Sequence, residues 1–232
     1  MNSCRRLSVF TSLLMFVSAL SLVIAALISE YWFESTPINE KGGLSRNNFI
    51  HSGLLKGSRQ LDWGLGPRYK PFSVYEEIHE GHGFISKTPW IFIIFFTALG
   101  LLWNAVGIII CLVNTAVKEN DTVAGPIGIY LWSMLACKFL ALYLSMISYA
   151  CSVVIFLVQY ATSIKHNVLL TDQIEGGFST LNQTRLGFSF YLEVAAMCIL
   201  LIPSMLMFLT ADKTRRPRIE KQIPVDSTVF MY

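Results

Sequence analysis

The chain has 232 residues, of which 53% are hydrophobic and only 14% charged, and it carries a formal net charge of +3. A soluble domain carries about 25% charged residues; here the charges fall between four long apolar runs, which excludes an ordinary soluble domain and points to a bilayer. No basic stripe interleaved with aromatics occurs, so the small positive balance is not a nucleic-acid footprint.

Residues 1–6 form a short basic start with Cys4, Arg5 and Arg6. Residues 7–28 are apolar and long enough for a helix to cross a hydrocarbon core, which takes about 20 residues. The run exceeds the roughly 7–15 apolar residues of a signal-peptide core, so a retained span is expected. Ser21 and Ala25 recur at four-residue spacing, the rhythm of small residues that lets membrane helices approach closely.

Residues 29–88 read as a large outer loop. Tyr31-Trp32-Phe33 stands at its start, where aromatic rings favour the membrane interface. Turn signals follow at Lys41-Gly42-Gly43, Gly57-Ser58 and Gly64-Leu65-Gly66-Pro67, with strand character at 48–55 and 69–75. A small antiparallel sheet on top of the helices is the expectation. His79-Glu80-Gly81-His82 lacks the His-Glu-x-x-His spacing and a third ligand, so a solvated turn is expected there rather than a metal site.

Residues 89–113 form the second span, 114–126 a turn, and 127–160 a third span that is too long for one upright crossing. In the third span Ser133, Cys137, Ala141 and Ser145 recur every fourth residue, with Ser148 and Ser152 beyond; Gly100 and Gly107 are the small residues of the second. These stripes predict helix packing within the bundle, and the same residues could serve a homo- or hetero-oligomer seam. Residues 161–186 form a second outer loop, 187–209 the fourth span and 210–232 a polar, basic tail.

Two ionisable residues interrupt the spans, Lys138 and Glu193. At 1.5 Å per residue they fall within about 6 Å of the same depth if the third span enters at 128 and the fourth at 187. They are expected to pair, since an unpaired charge at a helix centre costs about 2.5–3.5 kcal/mol. Lys and Arg flank the first span at Arg5 and Arg6 and the fourth from Lys213 to Lys221, which predicts a cytosolic N-terminus and C-terminus. The sequon at Asn182 is then outside and open to glycosylation, whereas Asn120 is not.

None of the five cysteines falls in the outer loops. No nucleophile elbow, phosphate loop or intramembrane catalytic dyad is present, so neither an enzyme nor a cofactor is expected. The end, with Phe230 and Tyr232 alternating, has the pattern by which a C-terminus adds as a strand to a PDZ-domain scaffold.

Trp32 just after the first span, followed by Gly53-Leu54-Leu55, resembles the layout of the claudin superfamily, without the two cysteines that claudins carry after this step. Gly53-Leu54-Leu55-Lys56-Gly57, Trp63-Gly64-Leu65-Gly66-Pro67-Arg68, Phe72-Ser73-Val74, Gly125-Pro126-Ile127-Gly128-Ile129-Tyr130-Leu131-Trp132 and the hydrophobic end resemble clarins more closely. The resemblance implies a mainly α membrane protein, a claudin-like four-transmembrane-helix bundle with a small antiparallel β-sheet in the first extracellular loop. It also implies a plasma-membrane organiser of actin-rich protrusions and synapses in sensory cells. A claudin-like junction protein and an auxiliary subunit of a channel or receptor are the rival expectations, since fold analogy alone does not set function.

Overall fold

The computed structural model describes residues 3–39, 48–80, 86–116 and 126–219. Four long helices dominate: α1 (Ser3–Ile28), α3 (Lys87–Ala116), α4 (Pro126–Gln159) and α6 (Phe188–Ile219), with the short α2 (Val74–Glu80) and α5 (Thr171–Glu175) between them. α1 packs against α3 and α6, and α4 packs against the same two, closing a four-helix ring. A π-helical turn, Tyr160–Ile164, carries α4 beyond the expected end of the third span. α6 likewise continues past 209 to Ile219.

Three apolar stretches among the described residues are long enough to cross a membrane: Phe10–Ile28, Lys87–Val113 and Leu140–Ile164; the apolar part of α6, Phe188–Pro203, is shorter. Their outward faces are apolar as well. Phe10, Leu14, Phe92, Phe95, Leu102 and Ile147 are all exposed at the bundle surface, as lipid contact requires.

The sheet is larger than the first loop. β1 (Phe33–Ser35), β3 (Phe49–Ser52), β4 (Lys56–Asp62) and β5 (Pro67–Ser73) come from residues 29–88, but β7 (Thr184–Leu186) comes from the second loop. The order is β5-β4-β3-β1-β7, all antiparallel, with Phe33 opposite Ser52 on one side and opposite Leu186 on the other. A second pairing, β2 (Ile38–Asn39) with β6 (Phe178–Ser179), again joins the two loops.

Gly57-Ser58, expected as a turn, instead lies inside β4. Gly57 sits opposite Phe72 of β5, whose ring covers the glycine so closely that a Cβ there would overlap it. Glycine here makes room for an aromatic neighbour, a use that resembles a turn signal in sequence. β5 is an edge strand, exposed from Pro67 to Pro71, and its two prolines with Arg68 and Lys70 suit an edge that must not recruit further strands.

The helix stripes need one correction. Ser21 and Ala25 are exposed, and the Ser21 hydroxyl bonds back to the Ser18 carbonyl. The packed face of α1 is Ser12, Phe16, Ala19, Val23 and Ala26, spaced four-three-four-three. The register is set by a large residue: a Cβ on Gly107 of α3 would stand 2.7 Å from the Phe16 ring. Ala141 and Ser145 are buried in α4, as are Ser148 and Ser152; the side chains of Ser133 and Cys137 lie outside the described residues.

Candidate functional site

The sheet meets the bundle at Trp32. α1 ends at Ile28, and its last carbonyls lack helical partners. The Trp32 indole N–H donates to the Ala26 carbonyl at 2.7 Å and closes one of them. The backbone N–H of Trp32 donates to Ser52 at 2.9 Å, its carbonyl accepts from Gly187 at 2.8 Å, and Ser189 N–H donates to the Tyr31 carbonyl at 3.1 Å. A Cβ on Gly53 would overlap the Ser29 carbonyl, and one on Gly187 the Tyr31 carbonyl, so both glycines are required by close backbone approach.

Below this crossing the rings interlock. Trp32 meets Phe156 of α4 edge-on at 4.9 Å and Phe190 of α6 at 6.4 Å. Trp90 of α3 is also buried, and its indole N–H donates to the Leu54 carbonyl at 3.0 Å. Trp32, Gly53 and Leu54, read from sequence as one loop motif, therefore form one joint, and all four long helices contribute to it.

A second contact ties the loops together farther out. Trp63 stands edge-on to Phe178 at 5.0 Å, and Gly176 leaves the room that its ring fills. Gly64 follows with φ 90°, its N–H held by Asp62 Oδ1 at 2.9 Å, a conformation that favours glycine. Leu65 at this tip is 84% exposed.

The sheet also buries a charge pair. Arg59 of β4 is 4% exposed, pairs with Glu77 of α2, and lies 4.3 Å over the Phe72 ring. Burial pulls its guanidinium down to about 10, still charged at neutral pH, so Glu77 is its counter-ion. Close by, Glu30 accepts from Ser58 at 3.1 Å and lies 3.6 Å from His51, whose ring stacks between Tyr31 and Phe49.

Glu193 is fully buried in α6. Thr97 of α3 lies 3.4 Å from its Oε1, and Ser152 of α4 hydrogen-bonds it as well; Thr97 and Ser152 are 2.8 Å apart. Lys138 lies fourteen residues before Ser152 in the same helix, about 21 Å along the axis. The helices therefore do not adopt the register that would set Lys138 level with Glu193, and the Lys138 side chain itself lies outside the described residues. Against the expected entry at 128, α4 runs to Gln159 and on through the π turn, and Ser152 rather than Lys138 stands at the level of Glu193.

A family model described as Clarin-2-like matches residues 5–180, more than half of the chain. The chain belongs to the clarin family. Human Clarin-3 is 28% identical over 134 residues, which cover 57% of this chain and 56% of that protein, so the match spans little more than half of this curated relative. Clarin membership and the long apolar helices make the chain a multi-pass membrane protein. The matched region takes in Trp32, Gly53, Trp63, Trp90 and the three long apolar stretches, but ends before Gly187, Phe190 and Glu193.

Asn182 stands exposed at the turn between β6 and β7, with φ 60°. Phe230 and Tyr232 lie outside the described residues, as does His82, while His79 stacks on Tyr75. Sequence reasoning missed Trp90, Gly187, the Arg59–Glu77 pair and the Thr97–Ser152 contacts of Glu193. Thr97, Gly100 and Asn104 do lie three and four residues apart in the second span, a signal for one polar helix face.

Proposed function

We propose that this clarin is a four-span organiser of the plasma membrane, with both termini in the cytosol, which couples the outer sheet to cytosolic scaffold and the actin cytoskeleton in sensory cells. The observation that carries the reading is the shared sheet: β7 pairs with β1, so both outer loops form one body fixed to the helix ends. A rigid outer platform suits lateral organisation of partners better than a mobile loop does. α6 supports the fourth span by packing in the same ring, and an even number of crossings returns both ends to one side. The basic residues from Lys213 to Lys221 would then lie against anionic inner-leaflet lipid, each contributing about 1 kcal/mol.

The tail ending in Phe230 and Tyr232 is the proposed handle for a PDZ-domain scaffold. The test is the location of the endogenous protein carrying a tag within residues 114–126, so that Tyr232 stays free. Enrichment in actin-rich protrusions or synapses of sensory cells, lost when Phe230 and Tyr232 are replaced by alanine, is expected. A continuous belt at cell–cell contacts would overturn the reading in favour of a claudin-like junction protein. Co-purification with a channel or receptor, without scaffold binding, would overturn it in favour of an auxiliary subunit.

A further inference from the structure

Glu193 stands among several buried polar groups from three helices. Thr97 and Asn104 come from α3, and Tyr149 and Ser152 from α4, and all of these are buried together with Glu193. Gly100, between the two α3 residues, leaves the space that the Tyr149 ring fills. The Tyr149 hydroxyl faces the Asn104 amide and feels the Glu193 carboxylate, yet it has no well-formed hydrogen bond. Neither does either polar atom of Asn104, nor Glu193 Oε2. Four polar atoms inside the bundle thus lack protein hydrogen-bond partners, which is unfavourable away from water.

Charge sharpens the question. Among the described side chains, Arg59 pairs with Glu77 and His51 with Glu30, each joining a strand to a residue outside the sheet, and no cationic side chain is found against Glu193. A lone carboxylate at this depth is neutralised either by a proton or by a bound cation. The donors against the carboxylate are hard oxygens, the hydroxyls of Thr97 and Ser152. One negative charge balances one positive charge, and a divalent ion would leave an excess in a low-dielectric interior.

We propose that the sheet-side end of the bundle holds a site for one monovalent cation of the sodium type, with the Glu193 carboxylate as its charged ligand and the hydroxyls of Thr97 and Ser152 as the neutral oxygens beside it. Glu193 lies five residues into α6, about 7.5 Å from the end that carries the sheet. Gln159, buried and with both side-chain polar atoms unpartnered, lies seven residues after Ser152 on the same face of α4, a polar step toward that end. The cation would lock α3, α4 and α6 together beneath the Trp32 joint.

The test is thermal unfolding of the full-length protein in detergent, at pH 8, in sodium chloride against choline chloride of equal ionic strength. Sodium is expected to raise the midpoint in a saturable way, as a ligand that binds the folded state does. Lowering the pH should weaken the effect by proton competition at Glu193, by up to about tenfold in apparent affinity per pH unit; Tyr149 is the other titratable group facing it. Glu193→Gln and Thr97→Val, both close in shape to the residues they replace, should each abolish the sodium-dependent shift. If a variant fails to fold, radioactive sodium binding to the wild-type protein decides the matter. Equal midpoints in sodium and choline, or sodium dependence that survives in Glu193→Gln, would overturn the proposal; the first result would leave a proton as the counter-charge.

Discussion

The indole of Trp32 donates to the carbonyl of Ala26, six residues earlier, so the residue that opens the sheet also closes the helix before it. The same ring is fully buried against Phe156 and Phe190. Trp32→Ala should cost about 3–5 kcal/mol through the cavity alone. Trp32→Phe keeps most of the volume and loses the hydrogen bond, leaving a cost of about 1–3 kcal/mol. Thermal unfolding in detergent, together with the fraction leaving the endoplasmic reticulum, should rank wild type, phenylalanine and alanine in that order; wild-type behaviour of Trp32→Phe would show that the hydrogen bond contributes nothing.

Gly53 and Gly187 press against backbone, which cannot step aside as a side-chain tip can. Alanine at either should cost at least the roughly 1–3 kcal/mol of overpacking. Gly64 is the control: a Cβ there meets nothing, and only its positive φ opposes alanine, at about 1 kcal/mol. The unfolding midpoint should fall more for Gly53→Ala and Gly187→Ala than for Gly64→Ala.

Arg59 is nine-tenths enclosed in the sheet with Glu77 as its counter-ion. Glu77→Leu alone should destabilise by about 3–5 kcal/mol, because it strands a buried charge. The double variant Arg59→Met with Glu77→Leu should recover most of that loss. A double-mutant cycle on unfolding measures the coupling, and additive losses would contradict the pairing.

Ser35 of β1 and Thr184 of β7 stand opposite each other, with their hydroxyls 3.1 Å apart. Cysteines at both positions should form a disulfide on mild oxidation, since directly opposed strand residues bring their Cβ atoms within bridging distance. Cleavage in the second loop would then leave the fragments linked until reduction. Failure to link in a folded protein would show that the two loops do not share a sheet.

Much of this was written locally. The long apolar runs announce themselves because a bilayer demands about 20 consecutive apolar residues, whatever the rest of the chain does. Trp32 with Gly53-Leu54 was legible as a motif, though its role as a joint was not, since the partners Ala26, Trp90 and Phe156 lie on three helices. The α1 stripe failed for a related reason: Ser21 and Ala25 have the right spacing, but every residue of a helix belongs to some four-residue series. Phe16 against Gly107 selects which series faces inward.

By itself, the sequence determined the membrane setting, the four long helices, the existence of a small sheet and the clarin likeness, because these rest on composition and short-range pattern. Only the tertiary structure decided that the two loops share one sheet, that Gly57 belongs to a strand, and that Glu193 is level with Ser152 rather than near Lys138. Each of these depends on where one helix or strand stops relative to another far along the chain. The change from Lys138 to Ser152, about four helical turns or 21 Å, alters which residues meet while leaving every local pattern intact.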